Sequence, residues 1–180
     1  MEITKIETGI PGLEVDLQKV IGDHRGFLAE MLPGGMDHPV AKNGIRNIYM
    51  SVATGKHVGR AAHYHYKNHE IFYTLSGTAL WLFHDFRKDS PSSGKSFGII
   101  LGHEKPEDEV HHPVVVLDDL QFACVSVPVE VYHAYWPLTD EKVRVVAVAS
   151  ESHSDDDYWR GKPNEVPGFV EILGKYGIYC

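Results

Sequence analysis

What most limits the folds open to this chain is a succession of short apolar or alternating runs, each closed by a turn signal. Candidate strands span 26–31, 46–53, 56–62, 70–75, 78–84, 97–101, 113–117, 122–127, 131–136 and 142–149. Between them stand Pro33-Gly34-Gly35, Asn43-Gly44, Ser76-Gly77, Ser90-Pro91-Ser92-Ser93-Gly94 and Leu138-Thr139-Asp140. Runs this short, punctuated by Gly and Pro, fit strands better than helices and predict an all-β sandwich or barrel. No long helical period precedes the C-terminal part, where 166–176 is compatible with either a short helix or a strand. No internal repeat or flexible linker divides the chain. The expectation is one domain over 1–180, with a core barrel at about 20–150 and a C-terminal extension at about 151–180.

Bulk composition excludes several functions. A chain of 180 residues is long enough to bury roughly 70% of its unfolded surface. The formal net charge of −8 argues against general nucleic-acid binding, though a local basic pocket for a phosphorylated small molecule is compatible with it. The N-terminal residues lack an apolar signal region and no run approaches transmembrane length, so no membrane association is expected. Cys124 lies in an apolar run and Cys180 is the last residue; neither reads as half of a disulfide framework, and a reducing cytoplasm is the expected setting.

On such a scaffold one side-chain constellation stands out: His63-Tyr64-His65, then Glu70, then His133. Strand residues alternate faces, so His63 and His65 point the same way. The polar stretch Tyr66-Lys67-Asn68-His69 reads as a turn, and Glu70 would open the antiparallel partner strand beside the two imidazoles. His133 sits in a further strand-like run. Three imidazoles and one carboxylate suit Fe, Mn, Ni, Co or Zn and leave coordination positions open for substrate or water. The long polar loop 102–113, which holds His103, His111 and His112, reads as a solvated loop. Asp155-Asp156-Asp157 reads as a solvated turn or helix start.

The spacing of His63, His65, Glu70 and Gly77 resembles the first metal motif of the cupin superfamily, H-x-H-x(3,4)-E-x(6)-G, and Pro128 to His133 resembles the second, P-x-G-x-x-H. Glu130 stands where the second motif has Gly, and His57 where the first has its leading Gly. A second resemblance covers about residues 20 to 140. Asp23-His24-Arg25-Gly26-Phe27-Leu28-Ala29-Glu30 is similar to the D-x-R-G-x-x-x-E segment of dTDP-4-dehydrorhamnose 3,5-epimerases. Arg60-Ala61-Ala62-His63 is similar to their R-G-L-H, and residues 85–94 to their D-x-R-x-x-S-P-T-F-G. The related dTDP-sugar ketoisomerases also carry H-x-H here. These resemblances imply a double-stranded β-helix (the cupin jelly roll), a homodimer with strand exchange, and a nucleotide-sugar pocket. They imply that His63 is the general base, that Arg25 and Arg60 hold the substrate diphosphate, and that Glu30 contacts substrate. Phe27 and Leu28 are expected in the core.

Two elements of the epimerase pattern are absent. Glu70 falls where those enzymes carry a lysine, and the strand 144–149 lacks their tyrosine acid. A divalent cation beside Glu70 could take over the lost charge stabilisation. His63 would then be a ligand rather than the base, with Tyr73, Tyr135, His69 or a metal-bound hydroxide left as candidate bases. The expected function is a metal-binding isomerase or epimerase of a nucleotide-linked keto-sugar. The alternatives are a metal-dependent dioxygenase, decarboxylase or lyase on another small molecule, and a non-catalytic sugar-binding cupin.

Overall fold

The computed structural model describes residues 3–32 and 37–179, so the expected Pro33-Gly34-Gly35 turn and Cys180 lie outside the described residues. The strands are β1 (Ile3–Ile6), β2 (Glu14–Lys19), β3 (Ile21–Asp23), β4 (Gly26–Leu28), β5 (Asn47–Ala53), β6 (Arg60–His65), β7 (Glu70–Ser76), β8 (Thr78–Asp85), β9 (Ser96–Gly102), β10 (Val114–Val116), β11 (Gln121–Val127), β12 (Val131–Pro137), β13 (Val143–Ala149) and β14 (Tyr158–Arg160). Two short helices, α1 (Pro39–Asn43) and α2 (Phe169–Gly174), complete the order. One sheet runs β1-β2-β11-β7-β13-β5 and the other β10-β9-β8-β12-β6-β14, while β3 and β4 form a separate hairpin. This is a jelly roll. The N-terminal strands β1 and β2 and the late strand β14 join the sheets from either side of the expected 20–150 core. The ambiguous stretch 166–176 contains the helix α2.

The period-two patterning dictates the layers. Phe72, Trp81, Phe83, Val125, Val131, Tyr135, Val145 and Ala147 come from alternate positions of their strands and form the core between the sheets. The opposite face of β8 and β12 (Leu80, Leu82, Tyr132, Ala134, Trp136) is buried too, because Phe169 and Leu173 of α2 cover it. That double burial explains why β8 reads as a continuous apolar run rather than an alternating one. Ile71, Tyr73, Cys124 and Val148 form a third cluster on the outer face of the first sheet, packed against Val40 of α1. None of the described helices is long and apolar enough to cross a membrane.

The hairpin β3–β4 overturns one expectation. Phe27 and Leu28 are not core: they are 61% and 67% exposed, and Ile21 opposite them is 79% exposed. A two-stranded ribbon has no second layer of its own to bury them.

Turn chemistry accounts for the link between the sheets. Gly77 has φ +70°, and a Cβ there would sit 2.9 Å from the Lys142 carbonyl oxygen, so only glycine fits. Elsewhere left-handed backbone is held without glycine. Glu130, at the glycine position of the second cupin-like motif, has φ +54°, and His57, at the displaced leading glycine, has φ +65°. The backbone amide of Glu130 donates to the His65 carbonyl at 2.7 Å and its carbonyl accepts from the Phe86 amide at 3.0 Å, so neighbouring strands impose the conformation. Left-handed geometry costs a non-glycine residue about 1–2 kcal/mol, partly offset because glycine is more flexible in the unfolded chain. Glu130→Gly is therefore expected to leave the fold intact and to raise unfolding stability by up to about 1 kcal/mol, read as a higher urea midpoint at unchanged slope.

Candidate functional site

Strands β5, β6, β7, β12 and β14 surround a cavity of about 490 Å³ at one end of the jelly roll. Its lining includes Tyr49, Arg60, His63, Trp81, Tyr135 and Tyr158. His63 is part of the wall, while His65, Glu70 and His133 are buried beside it. One ligand atom from each of these four residues lies within 4.8 Å of the others. The sheet register explains the convergence. His133 of β12 pairs directly with His63 of β6, and the turn at 66–69 returns the chain so that Glu70 opens β7. Ala61 and Ala62, just before His63, have φ +66° and +64°, and the β6–β12 register slips there. The bulge re-aims His63 relative to a regular strand. Ala61 is also the position where the epimerase-like segment carries glycine.

Hydrogen bonds behind three of the four side chains orient them. His133 Nδ1 lies 3.2 Å from the Val131 carbonyl, which only accepts, so Nδ1 carries a proton and in the neutral ring Nε2 keeps the lone pair. His65 Nδ1 lies 3.2 Å from Asp157 Oδ2, which assigns the same tautomer. Both Nε2 atoms face Glu70 Oε2 at 3.3 Å. The other carboxylate oxygen, Oε1, accepts from the Tyr49 hydroxyl at 2.6 Å. Yet His65 Nε2, His133 Nε2, Glu70 Oε2 and both nitrogens of His63 are buried without a hydrogen-bond partner. Acceptor-capable atoms this close need a positive charge among them, from an imidazole proton facing Glu70 or from a bound cation. The 3.3 Å separations match the edge of a coordination polyhedron, since bonds of about 2.0–2.2 Å at tetrahedral or octahedral angles set ligand atoms about 3–3.6 Å apart. The residues present thus fit a divalent transition metal.

Electrostatics divide the group. Burial raises the Glu70 carboxyl, but hydrogen bonding and charge from His133 and His65 outweigh it and hold the group well below the usual carboxylate range. Burial pulls His65 down, but Glu70 and Asp157 outweigh it and the net shift is upward. At His63 the Glu70 charge is outweighed: burial, then the His133 imidazole, push it down to about 2. Burial also raises the Tyr49, Tyr135 and Tyr158 hydroxyls.

The expected site residues are only partly brought together. His63, His65, Glu70 and His133 converge, and Arg60 and Tyr135 line the same cavity, with the Tyr135 hydroxyl 2.8 Å from Ser51 Oγ. Tyr73 does not reach it. It follows Phe72 on β7 and so faces the outer side, where its hydroxyl donates to the Met31 carbonyl; a catalytic role for it is corrected on that geometry. His69 is also outside the lining, with its ring against His38. Arg25 sits on the exposed hairpin, paired with Asp23 at 2.6 Å, and Glu30 is exposed just beyond it; neither lines the cavity.

Four contributors escaped the sequence reading: Tyr49, Asp157, Tyr158 and Arg160. The alternation of β5 does put Tyr49 on the same face as Ser51, but nothing in the sequence pairs β5 with Glu70. Asp157 is buried rather than solvated, although the 3₁₀ turn at Asp155–Asp157 does form there as expected. β14 pairs with β6, setting Tyr158 opposite His65 and Arg160 opposite His63.

Comparison with known proteins follows this geometry. No protein-family model and no curated protein matches the chain. Solved structures do. NovW, a 4-keto-6-deoxy sugar epimerase from Streptomyces spheroides, superposes with TM-score 0.70 at 15% identity, over 91% of this chain and 75% of that one. A dTDP-4-dehydrorhamnose 3,5-epimerase from Bacillus anthracis, with TDP and PPi bound, gives 0.67 at 20% identity over 92% and 89%. The dTDP-6-deoxy-D-glucose-3,5-epimerase of Legionella pneumophila, in complex with dTDP-4-keto-L-rhamnose, gives 0.68 at 18% identity over 88% and 77%. The chain therefore has the cupin jelly-roll fold of these sugar epimerases.

One measurement checks the charge assignment. In metal-free protein the His63 ring is expected to stay neutral from pH 8 down to about pH 4, with flat ¹⁵N shifts where an ordinary histidine titrates near 6.5. The sign for stability follows. The unfolded chain binds a proton at His63 below about pH 6.5 and the folded chain does not, so His63 makes the fold less stable as pH falls from there toward 2. A His63 titration with a midpoint above pH 6 would refute the assignment.

Proposed function

We propose that this protein is a metal-binding isomerase or epimerase that transfers a proton next to the carbonyl of a nucleotide-linked keto-sugar. The observation that carries the reading is Glu70 Oε2, 3.3 Å from two imidazole Nε2 atoms and buried beside a cavity of the sugar-epimerase fold. His63, His65, Glu70 and His133 would hold a divalent ion (Fe, Mn, Ni, Co or Zn). When bound there, such an ion supplies positive charge to polarise a carbonyl or stabilise an enediolate. The depressed His63 supports its role as a neutral ligand rather than as a base, because a general base works best when it titrates near the operating pH.

The chain's own residues then divide the remaining work. Arg60 has no carboxylate partner among the described residues and lies at the cavity wall, where its guanidinium suits a phosphate oxygen pair. Tyr135, held by Ser51 and kept neutral by burial, can donate a hydrogen bond to a substrate oxygen. Phe72, Trp81 and Tyr135 give the inner cavity an aromatic wall.

In D₂O the metal-loaded protein is expected to incorporate deuterium at C3 or C5 of dTDP-4-keto-6-deoxyglucose. Glu70→Gln should lose bound metal by more than about tenfold, measured by elemental analysis, and lose the exchange with it. Wild-type protein that exchanges neither position with any of the five metals would sink the reading. Oxygen consumption by the Fe(II)-loaded form would instead favour a dioxygenase using the same four ligands.

A homodimer is part of this proposal, within the cytoplasm. Ile21, Phe27 and Leu28 leave an apolar ribbon exposed, and the edge strand β5 exposes Ile48 and Met50. A partner that accepts the ribbon would bury these residues and bring Arg25 and Glu30 toward its own cavity. Phe27→Glu is expected to shift the mass measured by light scattering from dimer to monomer; an unchanged mass would argue against this interface.

A further inference from the structure

The strand that closes the cavity comes from the C-terminal extension, and its first anchor is a buried carboxylate. Asp157 Oδ1 accepts from the Lys67 backbone amide at 2.7 Å. Oδ2 lies 3.2 Å from His65 Nδ1 and accepts from the Asn68 backbone amide at 3.2 Å. The Asp157 carbonyl accepts from the Tyr66 amide, also at 3.2 Å. One residue, immediately before β14, thus grips both His65 and the turn that delivers Glu70. The residues that follow split between two faces. Tyr158 packs its ring against His65 and His63, with centroids 4.2 and 4.8 Å apart, and Arg160 lines the cavity. Trp159 turns the other way and stacks on Tyr64 at 5.2 Å.

We propose that Asp157 is the positioning residue of the His65–Glu70 pair, and that through it occupancy of the four-ligand site is coupled to docking of the cavity wall at 157–160. The proposal rests on the metal reading above. Its physical basis is the geometry of a ring held at both nitrogens. A carboxylate on Nδ1–H fixes the tautomer and the ring plane, and increases the electron density that Nε2 can donate. The same carboxylate ties the amides of Lys67 and Asn68, so it also fixes the backbone two and three residues before Glu70. A solvated turn would need none of this, and burying an acidic side chain is unfavourable unless its oxygens are occupied, as both are here. Coupling is reciprocal: whatever the docked strand contributes to ion affinity, the ion returns to docking of the strand.

Wild-type, Asp157→Asn and Asp156→Asn proteins would be freed of metal with a chelator and titrated with Co(II), following its visible absorption. Asp156 is exposed on the same turn and serves as the control. The expectation is affinity weaker by about 10–100-fold for Asp157→Asn, with a shifted absorption band, and wild-type behaviour for Asp156→Asn. Thermal midpoints of the metal-free forms separate this from a general loss of fold. Hydrogen exchange on the wild-type protein alone gives a second readout. Removing the ion should speed exchange at the Lys67 and Asn68 amides and across 158–160. Asp157→Asn that binds Co(II) like wild type, or exchange there that ignores the ion, would overturn the proposal while leaving the metal reading standing. Wild-type protein that takes up no Co(II) overturns both. If Asp157→Asn does not fold, the exchange measurement on wild type decides.

Discussion

The structure is organised around a buried carboxylate that has no cation of its own. Glu70 sits at the start of β7 with almost no solvent exposure, and it keeps its charge only through the groups that face it. Tyr49 from β5 occupies one oxygen; His65 from β6 and His133 from β12 face the other. An isolated buried carboxylate is costly enough that a protein ordinarily protonates it. Here three strands are spent on keeping it ionised. Both imidazoles have their Nδ1 atoms tied up behind them, so a neutral ring would offer its Nε2 lone pair to a cation at the centre, while a ring protonated at Nε2 would donate to Glu70 instead. The arrangement is unfavourable without positive charge at its centre and favourable with it.

The backbone around this centre is strained where glycine would relax it. Ala61, Ala62, His57 and Glu130 all hold left-handed conformations. Two of them flank the ligands directly: Ala62 precedes His63, and the Glu130 amide is bonded to the His65 carbonyl. Non-glycine residues stay in this region only when their surroundings over-determine them, and such positions cluster at functional sites. At Glu130 the cross-strand bonds to His65 and Phe86 supply that constraint. At Ala61 and Ala62 the slipped register against β12 does. At positions 57, 61 and 130, where the resembled motifs carry glycine, the backbone here is left-handed without it.

How much of this was legible in sequence depended on the range of the interaction. Strand existence came from local alternation and turn residues, and β5, β7, β8, β11, β12 and β13 lie close to their expected limits. The four ligands were legible because His63, His65 and Glu70 lie within one hairpin's reach and His133 sits in a recognisable segment. Tyr49, Asp157 and Arg160 were not, since each meets the site through strand pairing that no local pattern encodes: β5 reaches Glu70 by way of β13, and β14 arrives from about ninety residues downstream of β6. Phe27 and Leu28 misled for the opposite reason. Their apolarity is real, but burial is decided by whether another layer is present, and within one chain the hairpin has none.

The charge pattern of the cavity constrains how a ligand enters. The chain as a whole carries −8, yet Arg60 and Arg160 both line this opening, and His63 forms part of its wall with His65 and His133 buried behind it. Arg160 lies over the Tyr158 ring at 4.2 Å, with its guanidinium also 3.5 Å from Asp155, so it is oriented without being neutralised deep in the protein. Arg60 is steadied by the Ser51 and Tyr135 hydroxyls. An anionic group is therefore drawn to the rim by the two guanidinium groups, while in the metal-free site the buried carboxylate of Glu70 repels a second anion from the floor. A molecule with a charged end and a neutral, oxygen-bearing end meets both demands in one orientation, charged end outward. On the proposed function that is the orientation in which the diphosphate stays at the rim and the keto-sugar faces the four ligands.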